Sequence, residues 1–60
     1  MYYNMNLQPA VASKFATLLT NASIWNCIRV ERGIVKGIKF RVADDKEKAK
    51  VRKAFKSAKK

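Results

Sequence analysis

The residues of this chain that are best suited to chemistry are one indole and the cations near it. Trp25 lies in residues 24–42, where Arg29, Lys39 and Arg41 share its odd-numbered positions. An indole gives a nucleobase a flat surface for stacking, which contributes roughly 1–3 kcal/mol per base whatever the base. Lysine and arginine side chains can bind the phosphates beside that base. Together these residue types predict an aromatic, cationic face that recognises nucleic acid.

A second and denser set of cations lies near the C-terminus. No acidic residue follows Glu47, so the cations beyond it have no carboxylate partner four positions further along a helix. Lysine outnumbers arginine by ten to four, and lysine is a flexible point charge, whereas bidentate reading of a base favours arginine. We therefore expect binding through backbone charge with weak sequence specificity. The candidate binding residues are Trp25, Arg29, Arg32, Lys36, Lys39, Arg41, Lys46, Lys50, Arg52, Lys53 and Lys56.

The charge balance limits the class of partner. Fourteen lysines and arginines against four acidic residues give a net charge of +10 on 60 residues. Such a charge predicts an anionic partner, which would be nucleic acid, an acidic protein surface or an anionic membrane. A membrane surface fits least well, because the apolar face of the C-terminal helix holds only Val51, Ala54, Phe55 and Ala58, and the fold needs that face. Nucleic acid is the first expectation, and an acidic protein is the alternative.

The same residues argue against an enzyme. The chain has no histidine for general base catalysis near neutral pH and no glycine-rich loop that could cradle a phosphate. Cys27 is the only cysteine and cannot form an internal disulfide or a zinc site alone, so we expect it to be reduced and buried as a small hydrophobe. We expect no enzymatic activity, no cofactor and a cytoplasmic location.

The indole and its cations belong to a predicted β-hairpin. Apolar residues fall at its even positions, and this period-two alternation is typical of half-buried strands. A three-residue loop of residues 31–33 would pair Val30 with Ile34, and a five-residue loop would pair Val30 with Ile38. Both registers keep the even residues on one face and bring Trp25 close to the cations. The pattern leaves open whether Trp25 is exposed or part of the core.

Two amphipathic helices flank the hairpin. Pro9 suits a first helical turn, and apolar residues at helical spacing predict a helix over residues 9–21. Its outer face is nearly uncharged, which indicates either a contact with a partner or a second copy, or a neutral solvated surface. Asp44 as N-cap and Glu47 three residues later predict a capping box at the start of the second helix. We expect the last turn, residues 57–60, to fray.

The whole pattern predicts one small α+β domain covering residues 1–60. Residues 1–7 alternate weakly and could add a short edge strand to the hairpin, which would give the order β-α-β-β-α. The expected function is nucleic-acid binding without enzymatic activity. The alternative is a small phage-type or accessory protein that docks on an acidic protein and inhibits or modulates it. Because so short a chain has a small core, a homodimer is a further expectation.

Overall fold

Five elements follow one another in the predicted order of strand, helix, strand, strand and helix. In the computed structural model, which describes residues 1–59, they are β1 (Tyr2–Asn6), α1 (Pro9–Asn21), β2 (Asn26–Glu31), β3 (Ile34–Arg41) and α2 (Asp45–Ala58). The α+β class and the β-α-β-β-α order are therefore confirmed, including the N-terminal edge strand.

Strand β3 is the centre of a three-stranded sheet with the order β1-β3-β2. It pairs antiparallel with both neighbours, so β1 and β2 form the edges. Helix α1 packs on one face of the sheet, where Ile38 and Phe40 are buried in the core, and α2 packs against α1. Lys39 and Arg41 alternate with them and are exposed on the opposite face. One face of the sheet is thus apolar and covered, and the other is cationic and uncovered.

The core is built around the ring of Phe15 in α1, which is fully buried. Its centroid lies 5.6 Å from the ring of Phe40 in β3 and 5.6 Å from that of Phe55 in α2, both in edge-to-face geometry. Such aromatic pairs add about 0.5–1.5 kcal/mol beyond the apolar area that they bury. Leu19 and Ile38 are the other large side chains that are fully buried. One aromatic cluster therefore joins the sheet to both helices.

The hairpin turn contains two residues, and neither register considered from the sequence is correct. Arg32 and Gly33 have φ values of 53° and 78°, and two positive values in succession are the pattern of a type I′ turn. Glu31 pairs directly with Ile34 across this turn. A bulge at Lys36 follows on β3, so the pairing shifts by one residue shortly after the turn.

The bulge changes which side chains are buried at the end of the hairpin. Val30 pairs with Val35, whereas the next residue back, Arg29, pairs with Gly37. Val30 and Ile34 were expected on the buried face, but they are 57% and 55% exposed. Beyond the bulge, the even residues of β3 are buried as predicted. The end of the hairpin therefore extends past the core with apolar side chains uncovered.

Helix α1 has the predicted limits and ends in a Schellman motif. Its left-handed residue is Ser23, with φ 62°. The N–H of Ser23 donates to the carbonyl of Thr20 at 3.0 Å, and the N–H of Ile24 donates to the carbonyl of Leu19 at 2.9 Å. Ile24 and Leu19 are both buried, as the apolar contact of this motif requires. A serine in this conformation costs free energy that a glycine would not.

Helix α2 begins with the predicted capping box. Asp44 Oδ1 accepts a hydrogen bond from the N–H of Glu47 at 2.9 Å, and Glu47 Oε1 accepts one from the N–H of Ala43 at 2.9 Å. The box reaches one residue further back than its usual form, which uses the N–H of the N-cap residue. Of the residues expected to fray, Ala58 belongs to the last turn of α2 and is buried, and Lys60 lies outside the described residues.

Candidate nucleic-acid interface

The uncovered face of the sheet carries nine residues in three rows of three, which we call the open face. Taken across β1, β3 and β2, the rows are Tyr2, Arg41 and Trp25; then Asn4, Lys39 and Cys27; then Asn6, Gly37 and Arg29. Residues that lie directly opposite one another in a sheet point to the same face. The N–H of Arg41 donates to the carbonyl of Trp25 at 3.1 Å, which places the indole in the first row although it precedes β2. The open face contains three cations and no carboxylate.

An aromatic pair stands at one end of the open face. The rings of Tyr2 and Trp25 lie 5.7 Å apart at an interplanar angle of 87°. Lys39 Nζ lies over the Tyr2 ring, 5.1 Å from its centroid, within the range of a cation–π interaction. Tyr2 is 58% exposed and Trp25 is 53% exposed, so Trp25 is a surface residue and not part of the core. Aromatic surface is therefore available for stacking beside a cation.

At the other end of the open face, Gly37 leaves a gap that two side chains bridge. Arg29 Nη1 donates to Asn6 Oδ1 at 3.3 Å, which joins the two edge strands above the central one. Glycine is required here, because a Cβ on Gly37 would overlap the carbonyl oxygen of Met5 on β1. The close approach of β1 to β3 thus depends on Gly37, and the arginine is held over the sheet.

A small cavity adjoins the aromatic end of the open face. It has a volume of about 180 Å³ and is lined by Ser23, Trp25, Arg41, Ala43 and Glu47. Glu47 uses Oε1 to accept the N–H of Ala43, and within residues 1–59 no partner holds its second oxygen or the guanidinium of Arg41. The cavity thus brings together one aromatic residue, one cation and one carboxylate, which are Trp25, Arg41 and Glu47.

The structure divides the predicted binding residues among three places. Trp25, Arg29, Lys39 and Arg41 share the open face. The two at the hairpin end are Arg32, in the turn, and Lys36, at the bulge. The remaining five are Lys46, Lys50, Arg52, Lys53 and Lys56, which are exposed on α2. Helix α2 packs against α1, which covers the other face of the sheet, so the cations of α2 form a surface separate from the open face.

Several residues of the open face were not identified from the sequence. Tyr2 lies beside Trp25 only because β1 pairs with β3, a contact between distant parts of the chain. The alternation of Asn4 and Asn6 was visible, but nothing in the sequence showed which strand they would join. Cys27 was expected to be buried, and this is wrong: it is exposed in the middle row. Its odd position on the hairpin was the signal that could have placed it correctly.

The uncharged outer face of α1 is partly used within the chain. Asn26 Nδ2 donates to Thr20 Oγ1 at 3.0 Å and to the carbonyl of Ile24 at 3.0 Å, which ties the start of β2 to the helix. Thr17 Oγ1 donates to the carbonyl of Ser13 at 3.0 Å. A shallow groove of about 350 Å³ lies between this helix face and Ile28 of β2. Its lining is neutral, unlike the surfaces described above.

The comparisons with known proteins give no relative. No family model, no curated protein and no solved structure matches the chain. In the part of the chain that the structure describes, no helix is long and apolar enough to cross a membrane. Over the same residues, no group of histidine, cysteine and acidic side chains could hold a metal ion. The properties of the surface are therefore the basis for a functional proposal.

Proposed function

We propose that this protein binds nucleic acid through its open face, with weak sequence specificity. The observation that carries the proposal is the exposed pair of Tyr2 and Trp25 among Arg29, Lys39 and Arg41, with no carboxylate in the nine residues. Bases can stack on exposed aromatic rings, while phosphates lie against nearby cations. The flat, uncovered sheet gives an extended strand room to lie across all three rows. The cations of α2, which packs against α1, add phosphate contacts outside the open face.

Salt dependence provides a quantitative expectation. Each phosphate neutralised on a single strand contributes about −0.7 to the slope of log K against log salt. Contacts from Arg29 and Lys39 alone therefore give about −1.4, and a third contact from Arg41 would give about −2. Contacts from α2 would make the slope steeper when the strand is long enough to reach them. Because lysine and arginine act on the phosphate backbone here, the slope should differ little between sequences.

The test is titration of labelled DNA and RNA oligonucleotides at low and at physiological salt. Fluorescence anisotropy reports binding, and the emission of Trp25, the only tryptophan, reports whether the ligand covers the open face. We expect binding at low salt that weakens at higher salt and quenches Trp25. Circular dichroism of the same samples shows whether the protein is folded. No binding at either salt concentration by folded protein would refute the proposal.

A second candidate function is docking on an acidic partner protein, which the protein would inhibit or modulate. The end of the hairpin favours it, because Val30 and Ile34 are exposed beside the cations Arg32 and Lys36. Exposed apolar side chains rimmed by charge are typical of protein interfaces. A pull-down from nuclease-treated lysate tests it with the double variant Val30→Ser and Ile34→Ser. A stoichiometric partner that the variant fails to capture supports docking.

A further inference from the structure

We propose that the cavity beside Trp25 takes one unpaired cytosine base of a bound strand. The inference rests on the proposed function and adds a base preference at a single position. The cavity of about 180 Å³ could hold about six water molecules at ~30 Å³ each, and it is smaller than the ~300–1,000 Å³ pockets of drug-sized ligands. It therefore suits a single ring, such as a pyrimidine, that is attached to a larger ligand.

The charges that line the cavity favour a neutral ligand. Glu47 presents a carboxylate oxygen that would repel a phosphate, so this place is unsuited to the phosphate backbone. Arg41 presents a guanidinium that would repel an ammonium or guanidinium group of a partner protein. A neutral heterocycle with both donors and acceptors can satisfy both groups at once. The indole of Trp25 supplies the surface on which such a ring stacks.

Among the pyrimidines, cytosine matches these two groups best. Its exocyclic amino group can donate to the free oxygen of Glu47, while its carbonyl and ring nitrogen can accept from Arg41. Uracil and thymine carry a ring N–H where cytosine has a ring acceptor, and a carbonyl where it has the amino group. They can give Glu47 one donor and Arg41 one acceptor, which is one hydrogen bond fewer than cytosine. A carboxylate that accepts from the amino group of cytosine is a known mode of base recognition.

The base must be unpaired for this contact. In a duplex, the amino group, ring nitrogen and carbonyl of cytosine are engaged with guanine, and both ring faces are stacked. Tyr2 supports this arrangement, since its ring packs against Trp25 and limits the freedom of the indole. A single strand crossing the open face would place a base in the cavity while its phosphates reach Lys39 and Arg29.

The experiment compares oligo-dC and oligo-dT of equal length, slightly above neutral pH where cytosine is unprotonated. We expect the wild-type protein to bind oligo-dC about fivefold more tightly, or better, with quenching of Trp25 in both cases. Glu47→Gln should remove most of this preference. Glutamine retains the capping box, so α2 can still begin at the same place.

A matched control separates base recognition from net charge. Asp45→Asn removes one negative charge from the same exposed helical turn without touching the cavity lining. Both variants should bind all oligonucleotides somewhat more tightly, because both raise the net charge by one. Only Glu47→Gln should change the ratio of the two dissociation constants. If Glu47→Gln does not fold, Arg41→Lys serves instead, since it preserves the charge and removes the planar pair of donors.

The outcomes distinguish this inference from the proposed function. Equal affinity of the wild-type protein for both oligonucleotides overturns the cytosine site and leaves nucleic-acid binding intact. The cytosine site is also overturned if Glu47→Gln and Asp45→Asn change the ratio of the dissociation constants for oligo-dC and oligo-dT by the same factor. Failure of folded protein to bind either oligonucleotide at low salt overturns both ideas together.

Discussion

The ring of Tyr2 meets the ring of Trp25 at 87°, with centroids 5.7 Å apart, although Tyr2 lies on one edge strand and Trp25 directly precedes the other. The contact passes over Arg41 of the central strand, which pairs directly with Tyr2. Two aromatic residues from opposite edges of the sheet therefore form one platform, and the ammonium group of Lys39 lies over its Tyr2 ring. This arrangement distinguishes the open face from a merely cationic surface.

Replacing the indole should weaken binding without unfolding the protein. Trp25→Ala removes the stacking surface, which is worth roughly 1–3 kcal/mol per base, so the dissociation constant should rise about 5- to 150-fold. Trp25→Phe keeps an aromatic ring, so its dissociation constant should rise less. Anisotropy titration measures both variants, and urea denaturation measures their stability. The side chain is 53% exposed, so neither should unfold; unfolding of Trp25→Ala would mean that the indole supports the core.

The separation of the two cationic surfaces should appear as a dependence on ligand length. Lys39→Gln removes a charge from the open face and should make the salt slope shallower by about 0.7 with any single strand. Lys53→Gln removes one charge from α2, which packs against α1 outside the open face, and should matter only for strands long enough to reach that helix. Anisotropy titrations over a salt series test this. An equal effect of both variants on a short oligonucleotide would contradict the separation, because it would mean that α2 contacts a short strand as much as the open face does.

The two glycines should respond differently to the same substitution. Gly37→Ala would place a methyl group against the carbonyl of Met5, and we expect it to lower the free energy of unfolding by about 2–4 kcal/mol. Gly33→Ala has open space but a φ of 78°, so it should cost about 1–2 kcal/mol. Chemical denaturation gives both values. If Gly33→Ala lowers the free energy of unfolding more than Gly37→Ala does, the conformation of the turn contributes more to stability than the close approach of β1 to β3.

The end of α1 offers a stabilising substitution. Ser23→Gly relieves the left-handed conformation at φ 62° and should raise the free energy of unfolding by about 1 kcal/mol. For a domain of this size, such a gain raises Tm by roughly 4–8 °C. Ser13→Gly is the control, because the same change inside α1 should lower stability by about 0.5 kcal/mol. Thermal unfolding followed by circular dichroism should therefore show shifts of opposite sign.

Local signals in the sequence were sufficient for the helices. Pro9 and the apolar spacing predicted α1 over the residues that form it, and Asp44 with Glu47 predicted the start of α2. These features depend on neighbours within one or two turns, so the residues themselves carry the information. The burial of Phe15 and Val51 follows from the same periodicity.

The hairpin register and the composition of the site depended on interactions that the sequence does not show. A two-residue turn requires Arg32 to adopt a positive φ, which is uncommon for arginine, and the bulge at Lys36 then offsets the pairing. Tyr2 reaches Trp25 only through the pairing of β1 with β3. The cavity needs Arg41 and Glu47 from different elements. Such juxtapositions arise from tertiary packing, so periodicity could not predict them.

The position of Cys27 has a practical consequence. Its thiol is exposed in the middle row of the open face, next to Lys39, and it is the only cysteine in the chain. A small thiol reagent therefore labels this surface at a single defined point without mutagenesis. A strand lying across the sheet would shield the sulfur, and the rate of alkylation would then measure how much of the protein is occupied.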